Sequence, residues 1–205
     1  MKTLLFLGDS ITDCFHNYDT DGLGEGYVRM IAEELGFGFG HVKVINKGFD
    51  GFTISALSRL WERDGAHLAC DVMTILIGIN DLSVIKNTGL DAEFAIKEFK
   101  MKYKLLIQKI RQTFQGPILL MEPFVFPYPQ AYKRWEADLK LMSEEIKDVA
   151  KQNDLVYVPL WERLIYAAKE TSYDKITTDG IHLTKLGHAV LAQVWLEAAK
   201  KSYDI

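Results

Sequence analysis

The chain has 205 residues, 48% of them hydrophobic and 25% charged, with a formal net charge of -4. That length fits one domain, expected over residues 1–205, with enough chain to bury a sizeable core. The mild acidity gives no electrostatic reason to expect nucleic acid or an anionic membrane as a partner.

Taken in order, the first element is Leu4-Leu5-Phe6-Leu7, a continuous apolar run that stops at Gly8-Asp9-Ser10. It is too short for the roughly 7–15 apolar residues of a signal peptide, and it reads as a parallel strand buried on both faces. Tyr27, Val28, Ile31, Ala32 and Leu35 form a helical stripe closed by Gly36, a residue type suited to the position after a helix. A second strand is expected over residues 42–46. It leads through Gly48-Phe49-Asp50-Gly51 to a short helix capped by Thr53 and carrying Ile54, Leu57 and Trp61. The third strand, residues 72–77, ends at Gly78-Ile79-Asn80-Asp81. A helix is predicted over residues 91–114, with Phe99, Tyr103, Leu106 and Ile110 on one face. Residues 118–121 form the fourth strand, and Pro123, Pro127 and Pro129 stiffen the loop after it. A helix over residues 132–151, a strand over 155–158 and a last helix capped by Thr184 complete the pattern. No stretch approaches the ~20 apolar residues of a membrane span. Cys14 and Cys70 are far apart in a chain without an export signal, so they read as reduced thiols and the expected location is cytoplasmic. Strands alternating with helices predict a five-stranded parallel sheet between two helix layers.

Three glycine-bearing loops follow strand ends, at Gly8, Gly48 and Gly78. In an open parallel sheet, such loops lie side by side where ligands bind. Ser10 is the candidate nucleophile. In Asp179-Gly180-Ile181-His182 the spacing lets the carboxylate accept a bond from the imidazole, as a base and its orienting acid require. Asn80, Gly48 and the Ser10 amide are candidate donors to an oxyanion. Each piece has an ordinary reading: Asp179 as a turn residue, His182 as a helix-start residue, Asn80-Asp81 as a cap, and Gly48 as a bend. The ordered set is what carries the argument.

At these residues the whole chain resembles the GDSL esterase family, also called SGNH hydrolases. Ser10 in Gly8-Asp9-Ser10-Ile11 matches the nucleophile, with isoleucine where leucine is frequent. Gly48 in Asn46-Lys47-Gly48 matches the oxyanion glycine, Asn80 the oxyanion asparagine, and Asp179 and His182 the acid and base. The resemblance implies a flavodoxin-like three-layer α/β/α sandwich and an esterase that uses no cofactor and no metal. Gly8 through Cys14, Leu23 through Val28, Asn46-Lys47-Gly48 and Pro123-Phe124 look like the branch of acetylxylan esterases and carbohydrate deacetylases. That implies a small-molecule ester substrate, an acetylated oligosaccharide. Phe49, Phe52 and Glu122 depart from the pattern, as residues that reshape the pocket would. A lysophospholipase or acyl-thioesterase with the same machinery is the nearest alternative, and a non-catalytic carbohydrate-binding module is the alternative from another class. Assembly as a homo-oligomer is compatible with such an esterase, but no residue demonstrates it.

Other polar residues receive lesser roles. Asp9 and Asp81 read as caps or supports beside the site. His188 reads as a solvent-facing or interface residue of the last helix. His16, His41 and His67 receive no role, and the spacing of His182 and His188 with Asp179 fits no common metal-ligand pattern. Tyr18, Trp61, Phe124, Phe126, Tyr128 and Trp161 are candidates for a sugar cleft, although most aromatics at such spacing are core.

Overall fold

Successive side chains of the first strand point into two different apolar layers, and this alternation organises the molecule. The computed structural model describes residues 1–202; the last three residues of the domain expected over 1–205 lie outside the described residues. Strands β1 (Lys2–Gly8), β2 (Val42–Gly48), β3 (Val72–Leu76), β4 (Ile118–Met121) and β5 (Val156–Val158) form one parallel sheet in the order β2-β1-β3-β4-β5. Leu4 and Phe6 join one apolar cluster, Leu5 and Leu7 the other.

Strand β1 runs almost directly into a one-turn helix, α1 (Ser10–Asp13), and then by a loop to α2 (Tyr27–Glu34). The remaining helices are α3 (Ile54–Asp64), α4 (Ile79–Thr88), α5 (Ala92–Arg111), α6 (Glu136–Gln152), α7 (Trp161–Glu170), α8 (Tyr173–Ile176) and α9 (Lys185–Ser202). Helices α2, α7 and α9 cover the face that Leu4 and Phe6 line; α3 to α6 cover the other. Each layer buries a continuous apolar surface, which is the main favourable term in folding. Thr74 is the polar exception in the middle of β3. It is buried, and its hydroxyl accepts a hydrogen bond from Trp195 Nε1 of α9 at 2.9 Å, so the polar atoms of both are satisfied inside the core.

The order matters for function. From β1 the chain moves outward to β2, then crosses back to β3 on the other side of β1. The segments after β1 and β3 therefore leave toward opposite faces and open a crevice at the carboxyl ends of the strands, where ligands bind in this topology.

The sequence expectation misses several short helices. Asn80 reads from sequence as a loop or cap residue, yet it lies in the first turn of α4. Helices α7 and α8 were not anticipated, and residues 130–135 form a 3-10 run before α6 begins at Glu136.

Candidate active site

Asp9 follows β1 and caps α1: it has an extended backbone and its Oδ1 accepts the Ile11 amide at 3.0 Å. Ser10 is thereby the first residue of a helix that starts at the crevice. The Ser10 Oγ lies 3.0 Å from His182 Nε2, and His182 Nδ1 lies 2.6 Å from Asp179 Oδ2. The other Asp179 oxygen accepts the amides of Ile181 and His182 at 2.9 and 2.7 Å. Burial pulls the Asp179 carboxyl upward, but the bonds from His182 and these amides hold it below the ordinary carboxylate range. An ionised Asp179 accepts only, so Nδ1 of a neutral His182 carries the proton and its Nε2 lone pair faces the serine hydroxyl. The segment bearing both residues is fixed at its base by the Thr177–Leu183 bridge and by Thr177 Oγ1, which donates to the His182 carbonyl at 2.7 Å.

The candidate oxyanion donors divide differently from the expectation. The Ser10 amide, at the first position of α1, belongs to the orphan donors of a helix start. One hydrogen of Asn80 Nδ2 goes to the Phe52 carbonyl at 3.0 Å, which fixes the amide plane; among the described residues the other hydrogen has no acceptor. The Gly48 amide is not free. It is buried and donates to Asn46 Oδ1 at 2.9 Å, while Asn46 Nδ2 donates to the carbonyls of Thr12 and Leu23 at 2.7 and 2.8 Å. Gly48 is thus corrected from oxyanion donor to part of the brace beneath α1. Sequence reasoning missed Gly51. In the turn closed by the Phe52 amide on the Phe49 carbonyl, Gly51 takes φ +71, a conformation that calls for glycine at the third position. Among the described residues its amide has no acceptor, and the next residue is the one whose carbonyl holds Asn80. The signal was available as a second glycine in the same loop.

Two carboxyls support the crevice from inside. Burial pushes Asp9 from 3.8 up to about 7; the Ile11 amide opposes this and the nearby Asp81 charge adds to it. Burial also pushes Asp81 to about 7, although its Oδ2 accepts the Ile54 amide at 3.0 Å. A folded-state value raised in this way means that the native protein holds the proton more tightly than the unfolded chain does. The resulting stability is fully present below pH 3.8 and is lost as pH rises toward 7. The slope is at most about 1.4 kcal/mol per pH unit for each group. Asp9→Asn keeps the capping oxygen and removes the charge. Its urea stability relative to wild type should therefore improve steadily from pH 4 to pH 7; a difference constant across that range contradicts the assignment.

His188 corrects a second expectation, because it is buried rather than facing solvent. Its Nδ1 accepts the Tyr27 amide at 3.2 Å, so its Nε2 carries the proton and points to Cys14 Sγ at 3.6 Å. Burial lowers it to about 4, so near neutral pH it acts as an uncharged pin between α9, α2 and the Cys14 turn.

Ser10 and His182 open into a cleft of about 730 Å³ that Phe15, Tyr18, Asp50 and Thr178 also line. Phe49, Phe52 and Glu122 are not among its walls. The two phenylalanines stack on each other with centroids 4.9 Å apart, and Glu122 accepts the amides of Leu160 and Trp161 at 2.8 and 2.9 Å, capping α7. Trp61, Phe124 and Phe126 are core residues, and Trp161 is partly buried with Nε1 on the Val125 carbonyl. Tyr128 is half exposed and stacks on Tyr173. Of the sugar-cleft candidates, only Tyr18 faces this cleft. His16 is buried and its Nδ1 lies 2.7 Å from Asp13 Oδ1, while Asp13 Oδ2 accepts the Asp50 amide. Among the described residues, no group of at least three His, Cys, Asp or Glu side chains could hold a metal ion, and no helix is long and apolar enough to cross a membrane.

Residues 6–190 match the model of the GDSL-like lipase/acylhydrolase family. An acetylxylan esterase of Geobacillus stearothermophilus is 28% identical over 219 residues, covering 95% of this chain and 92% of the relative. A solved catalytic mutant of an acetylxylan esterase from the same organism has a TM-score of 0.83 at 25% identity, covering 96% of this chain and 93% of that one. An α/β hydrolase enzyme from the metagenome of Lake Arreo, Spain, has a TM-score of 0.85 at 23% identity, covering 97% and 95% of the two chains. The second of these structures extends the likeness of fold alone.

Proposed function

This chain belongs to the GDSL-like lipase/acylhydrolase family and is a carboxylic ester hydrolase, and on that premise we propose that it is a serine esterase removing acetyl groups from carbohydrate. The observation that carries the mechanism is the line from Asp179 through His182 to Ser10, with a short contact at each step. Ser10 Oγ attacks the ester carbonyl as its proton passes to His182 Nε2, and Asp179 steadies the imidazolium. Negative charge develops on the former carbonyl oxygen. The Ser10 amide, the free Asn80 hydrogen and the Gly51 amide stabilise it without having to reorganise. Collapse of this intermediate expels the sugar alkoxide, which takes the proton from His182. Water then attacks the acetyl-serine while His182 removes its proton, and acetate leaves with the serine restored.

The acetylxylan esterase relative supports acetylated sugar as the substrate class. The test is a rate series on aryl esters of increasing acyl length, alongside acetylated xylo-oligosaccharides. Release of acetate from the sugar, with aryl-ester rates collapsing beyond short chains, is the expected result. Rates that climb with chain length would move the assignment to lipid or thioester substrates.

A further inference from the structure

Phe15 occupies a position that the fold does not reward. Its backbone is left-handed, at φ 67, and so is that of Cys14 before it, at φ 38. A bulky residue in that region is a genuine outlier, and such strain persists only where the surroundings over-determine it. Here they do: the Cys14 amide returns to the Ser10 carbonyl, the Cys14 carbonyl accepts the Glu25 amide at 2.8 Å, and the Phe15 carbonyl accepts the Tyr18 amide at 2.9 Å. The next residue, His16, is buried with its ring and its amide both on Asp13. The backbone is therefore clamped on both sides, yet Phe15 is 64% exposed and Tyr18 near it is 91% exposed. Both rings line the cleft that holds Ser10 and His182.

The direction of that cleft says what meets these rings. It contains His182, which in the mechanism above gives its proton to the leaving oxygen, but neither Asn80 nor Gly51, which that mechanism assigns to the acyl oxygen. The group lying along it is the alcohol part of the ester. Its remaining exposed walls, Asn17, Asp50 and Thr178, are polar. They suit a ring with hydroxyls at its edge and an apolar face to lay on an aromatic side chain.

We propose that Phe15, with Tyr18 extending it outward, is a stacking platform for the pyranose ring of the leaving group, and that it selects carbohydrate esters over simple ones. This inference rests on the deacetylase reading above. The experiment compares kcat/KM on an acetylated xylo-oligosaccharide with that on ethyl acetate, whose leaving group has no ring. Phe15→Gly removes the ring and relieves the backbone; Phe15→Asn is a second ringless variant of a residue type that tolerates this conformation. In both, the ratio of the two rate constants should fall about tenfold, chiefly through KM for the sugar, with no loss of melting temperature. Phe15→Trp should restore the ratio. An unchanged ratio in the ringless variants overturns the platform and leaves the deacetylase reading standing. A wild-type protein that cleaves ethyl acetate but ignores acetylated sugar overturns both.

Discussion

Ser10→Ala should lower ester turnover by about a millionfold, the scale on which a serine hydrolase loses rate when its nucleophile is removed. The change is small in every other respect. Ser10 contributes its backbone to α1, whose cap is the Asp9 side chain, and alanine is a good helix former. The hydroxyl's contact is with His182, which is half exposed and keeps its bond to Asp179. Circular dichroism and melting temperature should therefore match wild type while turnover of an aryl acetate disappears. Substantial remaining turnover would mean that another residue attacks the ester.

The second large effect concerns stability. Gly8 and Gly48 pair at the carboxyl ends of β1 and β2, directly under the turn into α1. A Cβ on Gly48 would lie 2.1 Å from the Asp13 nitrogen and 2.6 Å from the Thr12 carbonyl carbon, both backbone atoms that cannot rotate aside. Gly48→Ala must lift α1 from the sheet, and overpacking of this kind costs about 1–3 kcal/mol. For a chain of this size that is a fall of roughly 2–12 °C in melting temperature. Ser10 moves with α1, so turnover falls as well. Gly51→Ala is opposed by a different cause, because a Cβ there meets nothing within 4 Å and only the positive φ resists it. It should cost about 1–2 kcal/mol. Gly48→Ala melting at the wild-type temperature would show that α1 does not rest on this glycine.

These two glycines also show what the sequence can and cannot convey. All five strands were legible because buried parallel strands are continuously apolar, and β4 was expected over the residues it occupies, Ile118–Met121. The long helices α5, α6 and α9 carry enough periodic residues to be read without the structure. Helix α7 was not legible, because its start is stabilised by Glu122, nearly forty residues earlier in the chain. Helix α4 buries only Ile79, Leu82 and Ile85, too short a stripe to stand out. Within the candidate site, Ser10, His182 and Asp179 are legible as types and spacings, and the fold brings their side chains together. Which glycine amide remains free was not legible, since Asn46 claims the Gly48 amide through a side-chain bond that no spacing announces. The burial of His188 is illegible for the same reason: its partners, Tyr27 and Cys14, lie more than 150 residues away.

The measurement closest to the central claim is covalent capture of the nucleophile. The wild-type protein is incubated with a fluorophosphonate that mimics the tetrahedral intermediate, and the modified residue is located by peptide mass spectrometry. The account predicts one adduct per chain, on Ser10, forming far more slowly in His182→Ala and competed by acetylated xylo-oligosaccharide. An adduct on another residue, or none under conditions where the protein turns over an aryl acetate, would contradict it.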